Sequence, residues 1–143
     1  MKDSPTQRRR DFLKLASVPF IVPSSVFGKN APSNRINVAM IGLGRQGLRP
    51  NLNQFLSSPD AQVVAVCDLS TEALDGFRAK WGETCPDLRT YTSHGDMLDK
   101  EQLDIVTVAT SDHAHAQLVV DAAQAGAKGI FCEKPLATTL GEA

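Results

Sequence analysis

Three glycines, Gly42, Gly44 and Gly47, follow directly on the apolar run Ile36-Asn37-Val38-Ala39-Met40-Ile41. The spacing Gly-x-Gly-x-x-Gly, set between a strand and a helix, suits the binding of a pyrophosphate. The first glycine permits a tight turn, the second lets the backbone approach the phosphates, and the third lets the helix pack on the strand. The helix N-terminus adds free N–H groups and the positive end of its dipole. Asp68 lies 21 residues after Gly47, at the end of a second apolar run over residues 62–67. An acidic residue about 20 positions after the glycines accepts hydrogen bonds from the adenosine ribose hydroxyls of a dinucleotide. Gly42, Leu43, Gly44, Arg45, Gln46, Gly47 and Asp68 are therefore the candidate cofactor contacts. A carboxylate at Asp68 repels a 2′-phosphate, which favours NAD over NADP. Leu69 brings no cation to offset that repulsion, while Ser70 and Arg45 keep NADP open. The competing reading is a fold of the same type with its glycines used only for packing.

These residues need a frame, and the rest of the chain supplies strand and helix signals in alternation. After the glycines a helix is expected to about Leu56, with Pro50 removing a backbone donor and bending its first turns. Ser70 or Thr71 can cap a helix over residues 72–81. A weak strand over 88–92, a short helical turn over 96–100 and a strong strand over 104–109 follow. A helix over 114–125 carries an apolar stripe at Leu118, Val119, Ala122 and Ala123 and stops at Gly126. A fifth strand is expected at Gly129–Cys132, and Thr139-x-x-Glu142 has the form of a capping box opening another helix. Such alternation predicts the α/β class: a doubly wound, parallel Rossmann sheet with helices on both faces. A full domain of that kind has six strands in the order 3-2-1-4-5-6. Five are expected here, with the fifth as an open edge, so the chain reads as a truncated domain.

Composition narrows the alternatives. A formal net charge of -1 provides no basic excess for nucleic acid, and 42% hydrophobic residues suffice for a packed core. Cys67, Cys85 and Cys132 have neither the number nor the spacing of a disulfide framework or a zinc site, and no metal is expected. Cys67 and Cys132 each close an apolar run and read as small core residues. The N-terminus differs in kind. Arg8-Arg9-Arg10-Asp11-Phe12-Leu13-Lys14 precedes a mildly apolar stretch over residues 15–27, broken by Pro19 and Pro23. A basic start before a short apolar segment has the layout of an export signal, and Arg9-Arg10-x-Phe12-Leu13-Lys14 resembles a twin-arginine signal. Residues 1–31 are expected to be that signal and its linker, giving an exported, extracytoplasmic protein without a stable membrane anchor, and the folded part is expected over 35–143.

From Ile36 onward the chain resembles the glucose–fructose oxidoreductase/inositol dehydrogenase (Gfo/Idh/MocA) family. Three motifs in order carry the resemblance: the glycine turn with Asp68, Thr110-Ser111-Asp112-His113-Ala114-His115 after the fourth strand, and Cys132-Glu133-Lys134-Pro135 after the fifth. The last is the most diagnostic. The resemblance implies that Thr110 and His113 lie along the cofactor, near its nicotinamide half. It implies that Glu133 sits at the nicotinamide ribose, and that Lys134 contacts cofactor and substrate and serves catalysis. Ser111 stands where the family usually has proline. The family's second α/β domain, which supplies most of the substrate pocket and usually a catalytic histidine, is absent from these residues. The implied function is the NAD(P)-binding domain of an exported oxidoreductase acting by hydride transfer on a sugar or cyclitol-like polyol. That substrate is expected to bind only with the missing domain. Family members often form homo-oligomers. The alternatives are a non-catalytic NAD(P)-binding module, an inactive fragment, or an enzyme that keeps NAD as a transient oxidant. On the residues alone, His113 and His115 are as well suited to capping or surface placement as to cofactor contact, and His94 reads as an ordinary loop histidine.

Overall fold

A computed structural model describes residues 34–143. The expected signal and linker over residues 1–31 therefore lie outside the described residues. Among those described, the strands are β1 (Ile36–Ile41), β2 (Ala61–Cys67), β3 (Arg89–Tyr91), β4 (Ile105–Val108) and β5 (Gly129–Cys132). They form one sheet in the order β3-β2-β1-β4-β5, with every neighbouring pair parallel. This is the doubly wound order, and β5 stands at the open edge.

Side-chain alternation along the strands explains why helices cover both faces. Met40 points to one face and Ala39 and Ile41 to the other, and all are buried. On Met40's side, Val63 and Val66 of β2 pack with Leu52, Leu74 and Phe77. These come from α1 (Gly47–Asn51 continued by Leu52–Ser57) and α2 (Thr71–Trp81). On the other side, Ile41, Val106 and Val108 pack with Met97 of α3 (His94–Lys100) and with Leu118 and Ala122 of α4 (His115–Gln124). Parallel strands buried on both faces read as continuous apolar runs, which is why β1, β2 and β4 were recognisable in the sequence.

The details follow local chemistry. Ser70 is the cap of α2, its Oγ accepting from Ala73 N at 3.2 Å. Pro50 falls inside α1, whose first five residues form wide π-type turns, with Leu52 N–H donating to Gly47 O. A proline has no N–H for the helical ladder, and the turn widens around it. In α4 the stripe divides: Leu118 and Ala122 are buried, Val119 is half-buried and Ala123 is exposed. The capping pattern at Thr139-x-x-Glu142 is present: Glu142 Oε2 accepts from Thr138 N at 3.1 Å and from Thr139 N at 3.2 Å, closing a capped turn.

The amino ends of the strands are joined by charge. Asp104 accepts from Lys128 Nζ at 2.6 Å and from Asn37 N at 2.8 Å, linking the starts of β4, β5 and β1. The lysine first, then the Asn37 N–H, hold the Asp104 carboxyl below its ordinary range. Glu101, at the end of α3, binds Arg89 and Tyr91 of the edge strand β3. Burial pushes its carboxyl up, but the bonds from Arg89 and Tyr91 outweigh that and hold it low.

Candidate functional site

The carboxyl ends of β1, β2 and β4 open into one cleft of about 640 Å³. Its floor is the glycine turn. Gly42 has φ +93°, a left-handed conformation strained for other residues, and a Cβ there would stand 2.5 Å from the Ala109 carbonyl oxygen. At Gly47 a Cβ would strike the Gly42 carbonyl oxygen. Both glycines are therefore required by the protein itself, for the turn and for close packing of α1.

Gly44 differs. A Cβ there would meet no protein atom within 4 Å, and Gly44 is exposed on the cleft wall. Protein packing places no demand for glycine at this position, whereas close approach of a pyrophosphate does. The site's chemistry thus fits a dinucleotide. Arg45 and Gln46 line the cleft beside Gly44. Leu43 does not line it: its side chain is buried in the core, and its N–H donates to Asp68 Oδ2 at 2.8 Å.

Asp68 is oriented before any ligand arrives. Besides the Leu43 bond, its Oδ1 accepts from Ser70 N at 2.9 Å, so each oxygen takes one backbone N–H. A carboxylate has about four lone-pair positions, so acceptor capacity remains toward the cleft for two hydroxyls. Cys67, next to it, is buried, and burial together with the Asp68 charge pushes its thiol up to about 11. It is a small core residue and not a nucleophile.

The opposite wall comes from the loop after β4. Thr110, Ser111 and His113 line the cleft. His113 is exposed, its N–H donating to Asp112 Oδ1 at 2.9 Å. His94 is not an ordinary loop histidine. It opens α3, lines the cleft near Leu69 and Thr92, and its Nε2 lies 2.9 Å from Asp121 Oδ2 of α4. Gln117's amide and then His94 hold the Asp121 carboxyl below its ordinary range. No sequence signal pointed to this pairing, because the partners are 27 residues apart and on different helices.

Glu133 and Lys134 lie beyond the cleft lining, past the end of β5. Glu133 N–H donates to Val108 O at 2.9 Å, which sets this segment beside the end of β4. Glu133 Oε1 accepts from Asn51 Nδ2 at 3.2 Å, and Lys134 is exposed. His115, rather than capping a helix at the surface, is buried against Pro135 O and Thr110 O. Asn51 is a contact the sequence did not suggest; a polar residue at a helix position facing the sheet was its only trace. No cluster of three or more metal-binding side chains occurs among the described residues.

Residues 36–143 match the family model described as the oxidoreductase family, NAD-binding Rossmann fold. The chain belongs to the Gfo/Idh/MocA family. It is 38% identical over 109 residues to a D-apiose dehydrogenase of Paraburkholderia graminis, covering 76% of this chain and 28% of that protein. It is 30% identical over 132 residues to a glycosyl hydrolase family 109 protein of Shewanella sp. (strain ANA-3), covering 88% of this chain and 28% of that protein. Among solved structures, myo-inositol dehydrogenase from Lactobacillus casei, in complex with NAD(H) and myo-inositol, superposes with a TM-score of 0.67 at 30% identity. That likeness covers 76% of this chain and 31% of the other. The chain thus spans under a third of the length of these relatives, and what it carries is the family's NAD-binding Rossmann domain.

Proposed function

We propose that this chain is the nucleotide-binding part of an oxidoreductase that transfers hydride between NAD and a carbon bearing a hydroxyl group on a sugar or cyclitol. The observation that carries the reading is the cleft where Gly44 has no packing role and Asp68 is pre-oriented between two backbone N–H groups. Bound NAD would supply the hydride acceptor. Gly44, Arg45 and Gln46 hold the pyrophosphate, and Asp68 takes the ribose hydroxyls and disfavours a 2′-phosphate. Thr110, His113 and Glu133 follow the remainder of the dinucleotide. Lys134 presents an ammonium that orients a substrate hydroxyl and stabilises charge developing on its oxygen. The substrate class rests on the D-apiose dehydrogenase and the inositol-bound relative, and turnover requires residues of a second domain. The general base for the hydroxyl proton belongs among those residues.

Titration of the 143-residue chain with NADH and NADPH, followed by nicotinamide fluorescence, tests the binding reading. We expect saturable NADH binding and weaker NADPH binding; binding of neither overturns it. Residues 1–31 we read as a twin-arginine export signal. Fusing them to a folded reporter, with Arg9 and Arg10 each changed to lysine in a control, should give export that the control abolishes.

A second reading draws on the similarity to the glycosyl hydrolase family 109 protein, which extends into residues before 34. In that case NAD stays bound as a transient oxidant through a cycle that cleaves a glycosidic bond. Lack of exchange between bound and labelled free NAD during turnover would favour it, and stoichiometric NADH release would exclude it.

A further inference from the structure

The buried polar side chains among the described residues are Asn51, Thr107 and His115. Two of the three converge on one short segment, Glu133-Lys134-Pro135. Asn51, 4% exposed, reaches it from α1, and His115, 2% exposed, reaches it from α4. Burying an amide or an imidazole is unfavourable unless it is hydrogen-bonded, so these contacts account for the presence of both residues.

The geometry points to Asn51 and His115 as positioning residues for Lys134, a role that rests on the reading of the cleft as an NAD site. Past Cys132 the sheet ladder supplies one more bond, Glu133 N–H to Val108 O at 2.9 Å. Pro135 has no N–H, so its carbonyl is its only main-chain hydrogen-bonding group. That carbonyl accepts from a His115 ring N–H, lying 2.7 Å from Nδ1. His115 Nε2 stands 3.2 Å from Thr110 O, placing the ring between the loop after β4 and the segment after β5. On the other side of Lys134, Asn51 Nδ2 donates to Glu133 Oε1 at 3.2 Å. Both neighbours of Lys134 are thus gripped from helices on opposite faces of the sheet. Lys134 itself has no hydrogen bond or ion pair among the described residues, so its ammonium remains available. The brace holds the segment from which Lys134 projects and makes no contact with the Lys134 side chain.

The test uses the 143-residue chain and its His115→Ala, His115→Gln, Asn51→Leu and Lys134→Ala variants. Each is titrated with NADH, which spans both halves of the site, and with ADP, which reaches only the glycine turn and Asp68. We expect His115→Ala and Asn51→Leu to weaken NADH about tenfold and ADP by less than about twofold. Glutamine, whose amide carries two N–H donors, should restore NADH binding to within about threefold of the parent. On the Lys134→Ala background, His115→Ala should add less than about twofold, because a residue acting through Lys134 has nothing left to position. Exchange of the Glu133 amide, bonded to Val108 O, should speed up in both brace variants while β4 stays protected. Parallel losses of NADH and ADP, full additivity with Lys134→Ala, or unchanged exchange of the Glu133 amide would each overturn the proposal. Failure of the parent to bind either nucleotide would instead overturn the NAD reading and the positioning role with it, and the exchange data would still decide whether the brace exists.

Discussion

Two segments of this domain leave the carboxyl end of a parallel strand and carry its candidate chemistry, and they are held in different ways. The turn from Gly42 to Gly47 is held by its own backbone. Gly42 N–H donates to Cys67 O at 2.8 Å, Leu48 N–H to Gly44 O at 3.0 Å, and carbonyl oxygens fill the places where side chains would begin at Gly42 and Gly47. The segment from Glu133 to Pro135 is held mainly by side chains that arrive from 82 and 20 residues away in sequence. A main-chain device requires particular residue types at fixed spacing, whereas a side-chain device requires only that some donor reach the right place. The first tolerates almost no substitution at Gly42 and Gly47, and the second can be loosened by degrees.

The strongest way to break the first device is to add one carbon. Gly42→Ala and Gly47→Ala should each destabilise the domain by about 2–4 kcal/mol, through a strained left-handed residue or a backbone clash. Urea unfolding of the full chain would show this as a lower midpoint with unchanged slope. Gly44→Ala sharpens the comparison, because it should leave stability within about 0.5 kcal/mol of the parent yet weaken NADH about tenfold or more. Equal affinities for parent and variant would show that nothing approaches Gly44 closely.

Asp68→Asn should cost NADH about fivefold to tenfold and narrow the preference over NADPH, since the amide loses the charge and one of the two backbone N–H bonds that orient the side chain. A competition titration with the two cofactors would read both effects at once. At the far end of the strands, Asp104 and Glu101 have depressed folded-state values, so their stabilisation is present above the ordinary carboxylate range. It is lost as pH falls through the folded values, so the thermal midpoint should drop progressively once pH falls below the ordinary carboxylate range. Asp104→Asn should lower the midpoint at neutral pH and flatten that drop. The smallest effect is chemical: Cys67, buried and with its thiol raised to about 11, should resist iodoacetamide at pH 7.5 until the fold is denatured. Rapid labelling of native protein, located by mass spectrometry, would refute its placement.

Legibility followed the same division. β1, β2 and β4 could be read because buried parallel strands are continuous apolar runs, and the alternation of strand and helix signals gave the parallel order. The place of Asp68 at the end of β2, on the cleft, could be read because it follows from strand length and chain direction. Its grip on Leu43 N–H could not, and that grip places Leu43 in the wall of the turn, with its side chain in the core. The capping contact between Thr139 and Glu142 could be read because the pattern is local. His94 read as a loop histidine, and His115 as one of a pair with His113 at a helix start. Only packing distinguishes the partly exposed residue on the cleft wall from the one buried beneath Pro135.

The sequence by itself determined the doubly wound frame, the glycine turn and the acid at the end of β2, because periodicity and backbone sterics act between near neighbours. The tertiary structure alone decided which polar side chains are buried and whom they meet: Asn51 with Glu133, His115 with Pro135, His94 with Asp121. The physical reason is that a buried donor must find an acceptor wherever packing places one, and that meeting leaves no mark on the spacing of residues along the chain.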